Sequence, residues 1–240
     1  MKTIRFDYLI IGNGRLASHF KKYFDLSGIT YQTWWRDAPF TLPLLLRSTK
    51  KVLLLISDDA IENFLLDHRA KDNQPIWIHC SGSIDTPLAE NVHPLMTFGD
   101  QLYSLATYQK IPFITTNGRP CFQELFPDLI NPNSSIPSQK RLLYHAWASM
   151  AGNFSSLLWS TYFERLEEEF GFDRHLATPY LDQIFANIKS STNPITGPLS
   201  RGDTQTITRH LQSLEHDDFK TVYSAFVEAF HDNQSSEVHQ

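Results

Sequence analysis

Apolar residues along this 240-residue chain gather into short runs separated by polar or helix-compatible stretches. The runs fall at Tyr8 to Ile11, Thr30 to Trp35, Val52 to Ile56, Ile76 to His79, around Val92, and Phe113 to Thr115. Short helical segments between several of these strand candidates predict an α/β layout with a mainly parallel sheet. From about Pro137 the pattern changes. Apolar positions follow helical spacing from Leu142 through Phe170, with a kink near Gly152, and further helices are expected near His175 to Lys189, Thr204 to Leu214 and Asp217 to Phe230. The stretch Asn131-Pro132-Asn133-Ser134-Ser135-Ile136-Pro137 is rich in turn formers and marks a boundary. Expected are an α/β domain over 1–135, an all-helical domain over 136–232, and a polar, frayed tail over 233–240. A helix of about 30 residues is too long for a lone small domain to cover, which points to a homodimer. The other C-terminal helices, covering it within one chain, are the alternative.

Composition narrows the partners. The net charge of −5 gives no basic excess for nucleic acid or an anionic membrane, and no apolar run approaches the ~20 residues that span a bilayer. A cytoplasmic protein acting on a small molecule is expected. The two cysteines, Cys80 and Cys121, have no C-x-x-C partner, so neither a disulfide scaffold nor a metal site is expected, and both read as core or strand residues.

The most informative stretch is Tyr8-Leu9-Ile10-Ile11-Gly12-Asn13-Gly14-Arg15-Leu16-Ala17, an apolar strand running into G-x-G-x-x-A and then a helix. In a Rossmann dinucleotide site Gly12 allows the tight turn, Gly14 lets the pyrophosphate approach the backbone, and Ala17 keeps helix and strand close. N–H groups at the helix start then hold the phosphate charge. Gly12, Asn13, Gly14, Arg15 and Leu16 are therefore the expected cofactor loop of the first domain. A residue at the end of the second strand selects the cofactor: a carboxylate bonds the ribose hydroxyl of NAD, and an Arg accommodates the 2′-phosphate of NADP. The order Trp34-Trp35-Arg36-Asp37 favours NADP through Arg36, while a one-residue change of register would make Asp37 an NAD-type ligand.

Several segments together resemble the bacterial Rossmann-like proteins with a C-terminal domain of unknown function. They are Ile10 to Gly14, Leu55-Ile56-Ser57-Asp58-Asp59-Ala60-Ile61, His79-Cys80-Ser81-Gly82-Ser83, His93-Pro94-Leu95-Met96-Thr97-Phe98, Tyr144-His145-Ala146 with Asn153, and Thr196-Gly197-Pro198-Leu199-Ser200-Arg201-Gly202-Asp203. The resemblance implies a C-terminal domain like that of 6-phosphogluconate dehydrogenase. It also implies kinship with deazaflavin-dependent NADP oxidoreductases and pyrroline-5-carboxylate reductase, and a helical dimer. It supplies no substrate. Related β-hydroxyacid dehydrogenases place a catalytic Lys four residues before an Asn; with Asn153 as that Asn, Ser149 stands in the Lys position. The His-Pro element also resembles that of prephenate dehydrogenases, a narrower enzymatic reading.

Hydride transfer needs a group that supplies or removes a proton, and histidine suits that role. His93 follows a late strand, at the sheet edge where α/β ligands gather, and is the leading acid/base, with His145 second. His145 and Asn153 lie eight residues apart and share a helix face. Ser57, Asp58 and Ser81 are expected beside the nicotinamide ribose, and Ser83 and Asn153 beside the substrate in an interdomain cleft. Arg201 is a candidate anchor for an anionic substrate, while Asp203 suits a helix cap and Ser57-Asp58-Asp59 another. These features predict an NADP-linked oxidoreductase acting on a carbonyl, imine or hydroxyl, the alternative being an NADP(H)-binding sensor or regulatory dimer without turnover.

Overall fold

The computed structural model describes residues 6–38, 41–69 and 75–237, which divide into two compact units, Met1–Trp159 and Ser160–Gln240. The first unit is built on strands β1 (Phe6–Ile11), β2 (Tyr31–Trp34), β3 (Thr49–Leu54), β4 (Ile76–His79) and β5 (Glu90–Asn91). They form one sheet in the order β2-β1-β3-β4-β5, every neighbouring pair parallel. Helices α1 (Arg15–Ser27), α2 (Leu42–Ser48) and α3 (Asp58–His68) supply crossovers. Because both faces are covered, successive residues of one strand enter different cores. Tyr8 and Ile10 of β1 and Leu53 of β3 pack with Phe20 and Phe24 of α1, whereas Leu9, Ile11, Val52 and Leu54 pack with Leu42 of α2 and Ile61 and Leu65 of α3. That two-sided burial explains why these strands read as unbroken apolar runs.

A second sheet joins β6 (His93–Pro94), β7 (Phe113–Thr116) and β8 (Asn133–Ile136). β7 is antiparallel to β6 and parallel to β8. Short helices α4 (Leu105–Tyr108) and α5 (Phe122–Leu125) flank β7 and add Tyr108, Phe122 and Leu125 to the α1-side core. Arg119, just past β7, ties the sheets together: Nε and Nη2 bond both oxygens of Glu90, and Nη1 and Nη2 also donate to the carbonyls of Thr86 and Ala89.

The structure departs from the sequence pattern in four places. The turn-rich stretch 131–137 contains β8, whose exposed Asn and Ser side chains hide a strand, because its pairing is made by the backbone. Residues 136–159 belong to the first compact unit. The polar end is helical through Glu237, with 238–240 outside the described residues. Cys80 is buried, but Cys121 is exposed at the N-cap of α5.

The chain then runs helically from 141 to 168, as α6 (Arg141–Ser149), a π-helical turn (Met150–Phe154) and α7 (Ser155–Glu168). The π turn encloses Gly152, the position of the expected kink. In the second unit follow α8 (Thr178–Ser190), α9 (Pro198–Arg201), α10 (Thr204–Ser213) and α11 (Lys220–Glu237). Asp203 caps α10 by accepting from the N–H and Oγ1 of Thr206. No described helix is long and apolar enough to cross a membrane.

Asn131 locks the loop before β8. Its Nδ2 donates to the carbonyls of Tyr108 (2.7 Å) and Ile111 (2.9 Å), and its Oδ1 accepts from Tyr23 (2.6 Å), all buried. Asn131→Ala leaves two buried polar groups unpaired, the Tyr23 hydroxyl and the Ile111 carbonyl, at about 1–3 kcal/mol each, while the Tyr108 carbonyl keeps the Ile111 N–H. We expect urea unfolding to show a loss of about 2 kcal/mol or more; a loss below about 1 kcal/mol would show that this loop is held by other contacts.

Candidate active site

The C-terminal ends of β1 and β3 lie side by side at the centre of the sheet, where the strand order reverses and α/β folds bind ligands. The chain leaves β1 at Gly12 with φ of 126°, and its N–H donates to the Trp34 carbonyl at 2.9 Å. A Cβ at Gly12 would fall 2.1 Å from the carbonyl oxygen of Leu55, so only glycine fits. Gly14 differs: it is the N-cap of α1, and nothing lies within 4 Å of where its Cβ would stand, so the loop is open to a ligand on that side. α1 has no acidic residue in its first turn, which leaves its positive N-terminal end uncompensated, and Ala17 is fully buried. Lys21 donates to Asn13 Oδ1 at 3.1 Å, orienting that side chain.

A cleft of about 660 Å³ follows this loop, lined by residues 12–17, by Leu55, Ile56 and Ser57 after β3, and by Met96, Thr97, Phe98 and Asn153. The 96–99 segment is held to α1 by buried His19, whose Nε2 meets the Gly99 carbonyl at 2.8 Å and whose Nδ1 meets Tyr108. A second compartment of about 400 Å³ is lined by His93, Leu95, Met96 and Thr97, by His145, Ala148 and Ser149 of α6, and by Ala151, Gly152 and Asn153 of the π turn. The two compartments share Met96, Thr97 and Asn153. Both are formed wholly by the first unit.

His93 and His145 thus stand together, their rings 5.4 Å apart. His93 Nδ1 is 2.9 Å from the Tyr144 hydroxyl. Burial, followed by the charges of His145 and Arg141, pushes His93 down to about 4. The ordinary imidazole range, on which a proton carrier at neutral pH depends, therefore does not apply: His93 is uncharged there. Tyr144 is pushed up by burial and keeps its proton. The ring of His145 packs on Gly82, where a Cβ would fall 2.2 Å from Cδ2.

The serines beside Gly82 line neither compartment. Ser81 and Ser83 donate to Asp58 Oδ2 at 2.6 and 2.9 Å, closing a cluster that ties the β4 loop to the start of α3. The expected cap at 57–59 takes this form: Ser57 makes no capping side-chain bond, and Asp58 holds the serine loop instead. Arg36 and Asp37 are exposed in the turn after β2 and lie outside the cleft lining. Arg201, at the end of α9, is exposed in the second unit. Sequence reasoning overlooked the wall residues Leu95 to Phe98 as lining groups and overlooked Arg141 altogether. Arg141 is 1% exposed and donates through Nη2 to Thr116 Oγ1 at 2.7 Å; its three- and four-residue spacing from Tyr144 and His145 was the available signal.

Residues 114–230 match the family model described as "Domain of unknown function (DUF2520)". That part of the chain is similar to this family, and the fold as a whole is Rossmann-like. No curated protein matches the sequence. Among solved structures it is similar to a candidate NADP oxidoreductase of Bacteroides fragilis, at 18% identity and a TM-score of 0.75, covering 96% of this chain and 100% of that one. It is also similar to the pyrroline-5-carboxylate reductase of Streptococcus pyogenes, with 15% identity, a TM-score of 0.59, and 97% and 99% covered. A reductive aminase of Aspergillus terreus in complex with NADPH and ethyl levulinate gives 15% identity, a TM-score of 0.56, and 93% and 88% covered.

His79, fully buried at the end of β4, is pushed down to about 4 by burial and then by Arg141. An unfolded histidine binds its proton near pH 6.5. Between pH 6.5 and 4 the unfolded chain therefore holds more protons than the folded one at His79 and His93, and stability falls as the pH drops through that window. For His79 the full effect is about 3 kcal/mol. Histidine proton NMR should show His79 and His93 untitrated at pH 5, with urea stability falling from pH 7 to 4.5. Ten histidines titrating near 6.5 would contradict this assignment.

Proposed function

We propose that this chain is an NADP-dependent oxidoreductase that moves hydride between the nicotinamide and a small carbonyl, imine or hydroxyl substrate. The observation that carries the reading is the pair of compartments meeting at Met96, Thr97 and Asn153, one along the glycine loop and the other containing the two histidines. The residues fit a dinucleotide: Gly12 excludes a side chain, Gly14 leaves open space, and the α1 N-terminus faces the loop with no competing carboxylate in its first turn. The cofactor supplies hydride chemistry when bound. Gly12, Asn13, Gly14, Arg15 and Leu16 hold its pyrophosphate, Ser57 lies toward its ribose, and Arg36 pairs with a 2′-phosphate. The similar NADPH-bound reductase supports NADP over NAD. Asp58 and Ser81 shape the β4 loop that holds Gly82 against the His145 ring.

In the substrate compartment His93 works as a neutral imidazole. It accepts the proton of a hydroxyl substrate in the oxidative direction and is oriented by Tyr144 on its other nitrogen. His145 lies within reach of the same space, and Asn153 hydrogen-bonds the substrate where the compartments join. Arg201 is proposed as a contact for an anionic group. The absence of a lysine among the lining residues, with Ser149 in the compartment, favours a second reading, an NADP(H) sensor without turnover.

We also propose a homodimer. Leu143, Trp147, Met150, Phe154 and Leu157 recur at spacings of four and three residues along α6, the π turn and α7, and they are 37–63% exposed. A stripe of that composition fits the matching stripe of a second copy.

Thermal-shift titration should show tighter binding of NADPH than NADH, with Arg36→Ala removing the difference; a ligand at 100 times its Kd stabilises by ~2.7 kcal/mol. Equal affinities in the wild type would overturn the NADP assignment. With a turned-over substrate, His93→Asn should lower kcat about 100-fold and leave NADPH affinity unchanged. A screen of carbonyls, imines and hydroxyacids with no cofactor turnover would favour the sensor. Light scattering should give twice the 27.7 kDa chain mass, and Trp147→Asp a monomer; a wild-type monomer would remove the dimer.

A further inference from the structure

Two of the side chains that line the smaller compartment are large, apolar and uncovered: Leu95 is 42% and Met96 37% exposed. The lining that α6 and the π turn contribute beyond His145 is small up to Asn153, namely Ala148, Ser149, Ala151 and Gly152. Gly152 has no atom within 4 Å of its Cβ position and its φ is not positive, so neither sterics nor backbone conformation requires glycine there. Together the bare wall and the small residues leave a space of about 400 Å³, near the lower end of the range for small-molecule sites. A leucine and a methionine exposed inside a concave space are apolar surface that a ligand removes from water.

The same space offers hydrogen-bonding atoms that the protein leaves unused. His93 uses Nδ1 on Tyr144, while its Nε2 has no partner among the described residues and, unlike Nε2 of His79, is not sealed from the surface. Neither ring nitrogen of His145 is hydrogen-bonded to a described residue, and neither is sealed. Both rings line the compartment. The remaining polar lining is Thr97, Ser149 and Asn153, so among the described lining residues none carries a carboxylate, an ammonium or a guanidinium. Arg141 is enclosed and lines neither compartment. The handles on a ligand are thus imidazole, hydroxyl and amide groups, and the rest of its surface meets apolar contact.

We propose that the compartment takes a small carbonyl, imine or hydroxyl compound with a compact alkyl body, its polar group hydrogen-bonded by His93 Nε2 or His145 and its body packed against Leu95, Met96 and the small residues of α6 and the π turn. This rests on the reading of the two compartments as cofactor and substrate sites, with the reacting carbon at their junction, where Met96, Thr97 and Asn153 line both. Ala148, Ala151 and Gly152 set the size limit, because a side chain grown from any of them competes with the ligand for the same volume.

Acetamide, propionamide and isobutyramide carry one polar head and a body that grows by one carbon at a time. The ε-methyl of Met96 reports their binding locally, because the chain has three methionines and Met150 lines neither compartment. In full-length protein labelled with ¹³C-methyl methionine and saturated in NADPH, the Met96 resonance, assigned by its loss in Met96→Leu, should titrate about fourfold more tightly per added carbon, the worth of one buried methylene. Ala148→Leu should weaken isobutyramide about tenfold, the gain of both carbons, and acetamide far less. It should keep the NADPH response, which shows that the variant is folded. Gly152→Leu makes the same test should Ala148→Leu fail to fold. Affinities that do not rise along the series, a gain that survives in both leucine variants, or a Met96 resonance that no member moves would overturn the proposal; the last result would mean that protein covers Leu95 and Met96. Repeating the series without NADPH distinguishes the two readings. A protein that binds NADPH and gives a flat series keeps the oxidoreductase and loses the alkyl site. One that gives the graded series and binds no NADPH keeps the alkyl site and loses the oxidoreductase.

Discussion

Everything at the centre of this molecule depends on how closely β1 and β3 end. The Leu55 carbonyl occupies the place where a Cβ at Gly12 would be, 2.1 Å away, and the Leu55 N–H donates to Ile11 at 2.7 Å. Two adjacent parallel strands are thereby terminated in register. The chain turns outward at Gly12 into α1 and, after Leu55, at Ser57 into α3. A single methyl group would have to displace backbone, because neither partner is a side chain that could rotate away. The open space at Gly14 is the consequence: with the turn made so tightly at Gly12, the helix starts directly over the strand ends and its N–H groups face outward.

The second constraint is electrostatic. Three groups that are commonly charged or switchable, Arg141, His79 and His93, are packed into one region of the first unit. The arginine stays charged at neutral pH, since its free-solution pKa is near 12.5 or above. The two histidines yield: burial and the arginine together keep them neutral. A neutral His93 can accept a hydrogen bond on a ring nitrogen but has no imidazolium proton to give. The hydroxyl of Tyr144 already sits on Nδ1, so the remaining ring nitrogen is Nε2.

How much of this was legible in the residues themselves follows from the physics of each part. Continuous apolar runs and a glycine at a strand end are local signals, so β1, β3, β4 and the glycine turn into α1 could be read directly. β8 could not. Its Asn and Ser side chains are exposed and its pairing with β7 is made by backbone groups, which leave no mark on side-chain pattern. The histidines were found because imidazole is chemically conspicuous, but their lowered pKa values come from burial and from Arg141, which are long-range facts. Arg141 itself follows Lys140 at a helix start, where a basic pair reads as a solvated surface. Only the spacing to Tyr144 and His145 hinted that it turns inward. The serine loop shows the converse: its residues were identified, yet their hydroxyls serve Asp58 and so place Gly82 under His145.

The π turn at Met150–Phe154 connects these features. An α-helix that continued regularly from α6 would keep one fixed angular relation between the face carrying His145 and the residues that follow. The wider turn inserts extra backbone and shifts that relation. Asn153 falls in this turn and lines both compartments, so the helix irregularity, with Met96 and Thr97, marks the point where the two compartments meet. Gly152 within it has no atom near its Cβ direction, so a side chain there is sterically free to extend. Relaxing the turn to regular α-helix would change the angle between Asn153 and the face that carries His145. The two halves of the site are thus independently built, one on the sheet and one on α6, and the π turn brings them together.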